Sequence, residues 1–291
     1  MITKTLPFVK VEAVGNNFVL VNALLLPEMN WPLLAQRMCS HHFGVGSDGL
    51  LALVLPKKAN FGLRMFNPDG TEDVSGNGMR CTAAYAFLSG LHSKREVTFE
   101  MRDGVHPVEI LGSESDSVIA RVNMGKPLFG VKDLPANVDL DKIIDLPVKA
   151  GGHTYNLTCM SVGTPHAVIF APAASFWDCI PEVSSVIENH PIFPERINVD
   201  WCDVESHDAI KISTWERGVG PTMGCGTGAC AALVAANVCG RAGRKASVTS
   251  HGGTLDVEWH DNGDVLSSGQ AEIIYQGNWP LVGDEEVETD S

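Results

Sequence analysis

Two stretches of this chain echo one another at a separation of half its length. Ser75-Gly76-Asn77-Gly78 runs into Met79-Arg80-Cys81-Thr82-Ala83-Ala84-Tyr85-Ala86-Phe87. Cys225-Gly226-Thr227-Gly228 runs into Ala229-Cys230-Ala231-Ala232-Leu233-Val234-Ala235-Ala236. Each is a small nucleophile-type residue, then a G-[N/T]-G turn, then an alanine-rich apolar segment of helical character. They stand 150 residues apart in a chain of 291. A single G-x-G marks little more than a turn. Two of them in equivalent places, each opening the same kind of helix, predict a duplicated, pseudo-symmetric pair of domains. The length accommodates two such domains, each with a core that needs no disulfide or metal staple.

The segments around the repeat read as strands with few helices. Phe8 to Glu12 and Phe18 to Asn22 predict a hairpin about Gly15-Asn16-Asn17, and a helix is expected from Asn30 through about Ser40, with Pro32 in its first turn. After the loop Gly44 to Gly49, strands are expected at 50–55, 61–66, 97–101, 107–111 and 117–124. Beyond Gly125-Lys126-Pro127 the pattern restarts, with strands near 148–155, 157–162, 167–170, 197–204 and 209–215 and a helix over Phe176 to Glu188. The fold class is therefore α+β, two similar domains each built of a mostly antiparallel sheet around a central helix. The expected boundaries are 1–124, joined by a C-terminal strand within 268–283, then 125–267, then an acidic tail over 284–291.

Composition narrows the partners. Lys plus Arg number 21 against 35 Asp plus Glu, a formal charge of −14, which argues against nucleic acid or an anionic membrane surface. The apolar run Phe18 to Leu26 is too short to span a bilayer, and it lacks the small-residue cleavage site of a signal peptide. It reads as a buried strand, and the chain is expected in the cytoplasm. Eight cysteines stand at 39, 81, 159, 179, 202, 225, 230 and 239 with no C-x-x-C among them. They read as reduced, buried apolar residues and not as a zinc site or a disulfide framework.

The repeated motif has a chemistry of its own. Glycines at a helix start let a ligand approach unpaired N–H groups, and the helix dipole favours an anion there. Two such ends facing one another would hold one carboxylate, with residues 75 and 225 on opposite faces of the carbon that bears it. That geometry takes a proton from one face and returns it to the other. A helix N-terminus is expected to lower the pKa of Cys225 from its usual value near 8.5 toward neutrality. No P-loop lysine and no G-x-G-x-x-G accompanies either motif.

The stretches KVEAVGNNFVLVN (10–22), HHFGVGSDGLL (41–51), FNPDGTEDVSGNGMRC (66–81), GTPHAV (163–168), FPERINV (193–199) and WERGVGPTMGCGTGACAA (215–232) together resemble the diaminopimelate epimerase family, in that family's order and over nearly the whole chain. The resemblance implies a two-domain isomerase that needs neither PLP nor a metal and epimerises an amino-acid α-carbon between L,L- and meso-diaminopimelate, in lysine biosynthesis. It implies an active site in the cleft between the domains, a small amino acid as substrate, no organic cofactor, and leaves a homodimer open. Its two cysteines map to Cys225 and to position 75, which here is Ser75. His166 and Glu216 match residues that position and tune the thiols. Gly76 with Asn77 and Gly226 with Thr227 match the carboxylate cradle. Asn16, Asn67, Asn198 and Arg217 match residues that hold the rest of the substrate, the arginine fork suiting its far carboxylate. Thr164 stands in that distal pocket where the family often has Asn.

Ser75 leaves three readings open: a substitution for a natural cysteine, a natural change to single-thiol chemistry such as dehydration or slow epimerisation, or a protein that binds an amino acid without turning it over. A serine hydroxyl is no standing base near neutral pH without a strong partner, and Cys81 lies too far into the helix to replace it. Other features read plainly. His41-His42 is a surface pair, Glu72-Asp73 a solvated loop, and Asp69 a turn residue. Trp201, Trp215, Trp259 and Trp279 are packing residues.

Overall fold

The computed structural model describes residues 4–177 and 181–281. They divide into two compact units, one running to Val122 and taking up the chain again from Gln270, the other spanning Asn123–Gly269. The acidic tail expected over 284–291 lies outside the described residues. No helix among the described residues is long and apolar enough to cross a membrane.

The first unit contains β1 (Thr5–Ala13), β2 (Asn16–Asn22), α1 (Trp31–Met38), β3 (Gly49–Val54), β4 (Phe61–Phe66), β5 (Glu72–Asp73), α2 (Gly76–Leu88), β6 (Glu96–Met101), β7 (Gly104–Ser113) and β8 (Ser117–Asn123). β1–β2 and β3–β4 pair antiparallel, while β2–β3 and β4–β6 pair parallel. β6–β7 and β7–β8 complete an antiparallel meander, and β5 adds to β4. The final strand, β17 (Val265–Pro280), returns to pair with β1, and Ile273 donates its backbone N–H to Asp116 at the start of β8.

The second unit repeats this order with β9 (Leu146–Ala150), β10 (His153–Ser161), β11 (Pro165–Phe170), α3 (Val183–Glu188), β12 (Asn198–Ser206), β13 (Ala209–Glu216), β14 (Gly220–Thr222), α4 (Gly226–Val238), β15 (Lys245–Ser250) and β16 (Gly253–Trp259). β10–β11 and β12–β13 are antiparallel, β11–β12 and β13–β15 parallel, and β15–β16–β17 form the meander. β14 adds to β13 as β5 does to β4, and β9 flanks β10.

Local chemistry explains most element ends. Asn30 caps α1 by accepting from the Leu33 N–H at 3.3 Å. The β1–β2 turn is Val14-Gly15, both at positive φ (55° and 78°), the combination a two-residue hairpin requires. Asn16 and Asn17 therefore belong to β2 and not to the turn. Three further expectations are corrected. Residues 148–155 do not make one strand, because Gly151-Gly152, both at positive φ, fold β9 back onto β10. Nor does a helix run from Phe176 to Glu188. Phe176 ends a 3₁₀ turn at Ala173–Ser175, and α3 begins only at Val183, after Pro181, whose missing N–H suits a helix start and not its interior. Glu72-Asp73 is likewise a short strand and not a loop.

Two packing layers follow from strand alternation. In β12, Val199 and Trp201 face a core with Phe176, Val183 and Ile187, and Trp201 donates its indole N–H to Ser184 at 2.8 Å. The alternate residues, Asn198, Asp200 and Cys202, point the other way. α4 is buried along both its sides and touches β10, β11, β12, β13, β15 and β16. A helix apolar all round must be enclosed, and its alanines let strands come close. α2 packs in the same manner on β1, β2, β3 and β7, while α1 covers the far face of β3.

Candidate active site

The residues before the two glycine motifs are helix N-caps of matched geometry. Ser75 has φ −137°, ψ 122°, and its Oγ accepts from the Gly78 N–H at 3.1 Å. Cys225 has φ −120°, ψ 116°, and its Sγ accepts from the Gly228 N–H at 3.4 Å, the longer distance reflecting the larger sulfur. Gly76 and Gly226 are the first helical residues, so their N–H groups belong to the set a helix leaves unpaired.

In the first unit Asn16 and Asn77 join Ser75. The Asn77 amide donates to Asn16 Oδ1 at 3.2 Å, and the Asn16 amide donates to Asp48 Oδ2 at 3.0 Å. Asp48 also accepts from the Asn17 backbone and side chain at 2.8 and 2.9 Å, which explains why both asparagines sit in β2. Asn77 Oδ1 in turn accepts from Arg80, whose guanidinium is buried one turn into α2. Asn67 is not drawn into this chain. Its side chain donates to Thr71 at 3.1 Å across the turn in which Asp69 also binds Thr71. Glu72 is held by both nitrogens of an Arg64 fork at 2.9–3.0 Å, which keeps its carboxyl below the usual range and occupied away from Ser75.

The second unit assembles a denser set. His166 is fully buried, with Nδ1 2.7 Å from Asp200 Oδ2 and Nε2 3.0 Å from the hydroxyls of both Thr164 and Thr227. Thr227 Oγ1 lies 3.2 Å from Cys225 Sγ. Asn198 donates to the Pro165 carbonyl at 2.9 Å and to Thr164 Oγ1 at 3.4 Å, and accepts from the Arg217 N–H at 2.8 Å. The Arg217 side chain donates to the Glu195 carbonyl at 3.1 Å, and Glu216 accepts from Thr222 at 2.7 Å. The segment carrying Glu216 and Arg217 is pinned from behind by the buried Glu188, which accepts from the Trp215 indole at 2.7 Å and the Gly218 N–H at 2.8 Å.

The expectation of a low thiol pKa at Cys225 is overturned. Burial pushes the thiol well above its ordinary value, the negative charges of Glu216 and Asp200 push it further, and its hydrogen bonds with Thr227 and Gly228 recover only part. Helix position alone does not set a pKa when the site is buried and acidic.

Sequence reading missed Asp200 and Asp48. The available signal was an acid at an inward position of an apolar strand, in register with Asn198 two residues earlier. Strand pairing aligns the halves and shows how unlike they are. Phe18 pairs with Gly49 across β2–β3 as His166 pairs with Asn198 across β11–β12. Leu51 opposes Met65 as Asp200 opposes Thr214. Phe18, Leu51 and Met65 thus take the places of His166, Asp200 and Thr214, and all six are buried.

The glycines sense this difference. A Cβ on Gly228 would sit 2.5 Å from Asp200 Oδ1 and 3.0 Å from Thr214 Oγ1, whereas one on Gly78 would meet Leu51 Cδ2 at 2.9 Å, the end of a flexible side chain. Gly228→Ala is expected to destabilise by about 1–3 kcal/mol and to lower turnover by displacing Asp200. Gly78→Ala should cost less than half as much, since alanine also favours helix. Urea midpoints of the two variants decide this; a larger loss for Gly78→Ala would contradict the assignment.

A sequence model described as diaminopimelate epimerase matches residues 8–129 and 158–274. The diaminopimelate epimerase of Pelotomaculum thermopropionicum is 39% identical over 279 residues, covering 94% of this chain and 98% of that one. That of Moorella thermoacetica is 38% identical, covering 94% and 99%. Among solved structures, a Bacillus anthracis phenazine biosynthesis protein of the PhzF family aligns with TM-score 0.72 at 18% identity, over 96% of this chain and all of that one. A hydroxyproline epimerase from Agrobacterium vitis with bound trans-4-hydroxy-L-proline aligns with TM-score 0.70 at 15% identity, over 99% and 97%. At such identities these two structures speak for the fold alone.

Proposed function

The chain belongs to the diaminopimelate epimerase family, and we infer that it inverts an α-carbon of diaminopimelate, taking the L,L isomer to meso in lysine biosynthesis without PLP or a metal. The observation that carries this reading is the matched pair of N-caps, Ser75 on α2 and Cys225 on α4, each followed by glycine N–H groups free to receive a carboxylate.

Bound there, the substrate α-carboxylate would be held by the first-turn N–H groups of Gly76 with Asn77 and Gly226 with Thr227, where helix dipoles favour the charge that builds up as the α-proton leaves. Cys225 works one face of the α-carbon and Ser75 the other. In one direction the C–H bond breaks as its proton passes to the Cys225 thiolate, while on the other face the Ser75 O–H bond breaks, its proton is delivered and a new C–H bond forms with inverted configuration; in the reverse direction the two exchange roles. His166 and Glu216 tune the thiol. Asn16, Asn67, Thr164 and Asn198 orient the remaining polar groups, and the Arg217 fork takes the distal carboxylate. Serine is the weaker partner, because its hydroxyl is a far poorer acid than a thiol and has the apolar Leu51 and Phe18 behind it in place of Asp200 and His166. The Ser75 face therefore limits turnover. This reading puts the protein in the cytoplasm with its precursor pool.

Proton NMR with L,L-diaminopimelate in D2O under reducing conditions, with chiral analysis of the product, tests it. Deuterium at the α-carbon together with meso product is the expected result. Deuteration without inversion, or no exchange in either this chain or its Ser75→Cys variant, would overturn it.

A further inference from the structure

We propose that Asp200 is a positioning residue that governs the proton of the Cys225 thiol through His166 and Thr227. The inference rests on the reading of Cys225 as an acid/base group and adds the element that lets a buried thiol give up and regain its proton.

The contacts form an unbroken line. Asp200 Oδ2 is 2.7 Å from His166 Nδ1, His166 Nε2 is 3.0 Å from Thr227 Oγ1, and Thr227 Oγ1 is 3.2 Å from Cys225 Sγ. A carboxylate at Nδ1 keeps the imidazole proton on that nitrogen and leaves Nε2 to accept. Nε2 then takes the Thr227 hydroxyl proton, and the Thr227 oxygen is free to accept from the thiol. Asp200 is itself held, because Oδ1 accepts from Thr214 at 2.8 Å and the bare α-carbon of Gly228 leaves it room against α4.

The proton inventory balances. The S–H bond of Cys225 breaks as its proton moves to Thr227 Oγ1, and the hydroxyl's own proton moves to His166 Nε2. Thr227 ends unchanged, and the products are a thiolate and an imidazolium whose charge lies against Asp200. Without that acceptor the thiol has little reason to ionise. Burial disfavours its charge, and the titratable groups facing this region are mostly acidic or thiol: Glu216 from the end of β13, and Asp200 and Cys202 from β12. His166, from β11, is the group in direct contact with Asp200 that can carry positive charge.

The other half of the molecule serves as a control. With the same strand pairings and the same capping geometry, the first unit fills these places with Phe18, Leu51 and Met65. The fold therefore does not require a buried carboxylate and imidazole beneath the helix start. They occur where the thiol is and are missing where the serine is.

The test follows alkylation of Cys225 by iodoacetamide across pH, read by mass of its peptide, and needs no substrate, so it stands or falls apart from the epimerase reading. In Asp200→Asn the midpoint is expected to rise by about one pH unit, with the rate at pH 7 falling about tenfold. Were Asp200 merely a negative charge near the thiolate, its removal would lower the midpoint and speed alkylation. That result, or no change, overturns the proposal. Should Asp200→Asn not fold, the unsubstituted protein decides. Long-range proton–nitrogen NMR at neutral pH should show His166 protonated at Nδ1, and a proton on Nε2 in its neutral form would overturn the proposal equally.

Discussion

Cys225→Ala is expected to lower kcat by roughly 10³–10⁴-fold, the upper part of the range for removing a general acid or base, with KM changed only a few-fold. The thiol caps the helix start, and His166 reaches it through Thr227. Alanine also removes the cap that Sγ provides to the Gly228 N–H, a loss of about 1 kcal/mol that α4, enclosed by six strands, should absorb. Cys225→Ser separates the two effects. Ser75 demonstrates that a serine fits this cap, with Oγ 3.1 Å from the Gly78 N–H. Cys225→Ser should therefore keep the thermal midpoint while losing nearly as much turnover. Near-normal turnover in Cys225→Ala would remove the thiol from the mechanism altogether.

Ser75→Cys should act in the opposite direction, raising kcat by roughly 10²-fold or more. The backbone at 75 already has the dihedral angles of the Cys225 cap, so sulfur can be accommodated without rearrangement. The electrostatics favour the exchange as well. Cys225 faces Glu216 and Asp200, whereas the first turns of α2 bury the guanidinium of Arg80, which pulls the neighbouring Cys81 thiol downward against its burial. Ser75 is also only half-buried, so a thiol there would suffer less desolvation than Cys225. Steady-state rates of meso product formation from the two proteins decide it. An unchanged rate would mean that the face opposite Cys225 is not limiting, and attention would pass to the distal pocket around Thr164.

The limits of sequence reading are clearest in the second unit. The first hairpin, the Asn30 cap and the two G-x-G helix starts were legible because each depends on residues a few positions apart, although the hairpin turn is Val14-Gly15 and not Gly15-Asn16-Asn17. The residues named beside the thiols, His166, Thr164, Asn198 and Thr227, do converge on one network. Asn67 stands outside that network, its side-chain amide donating to Thr71 within its own turn.

By itself, then, the sequence determined that the chain is a duplication, that each half opens a buried helix with a capping residue and two glycines, and that one cap carries a thiol and the other a hydroxyl. Tertiary structure decided what stands behind each cap. Asp200 reaches His166 only because β12 lies parallel to β11, and it reaches Gly228 only because α4 crosses that face of the sheet. Leu51 and Phe18 occupy the matching places by the same pairing in the other half. The direction of the Cys225 pKa was settled at that level too. A helix dipole is a local property, but desolvation and the charges of Glu216 and Asp200 come from the packing of other strands around the cap, and at a buried thiol they outweigh it.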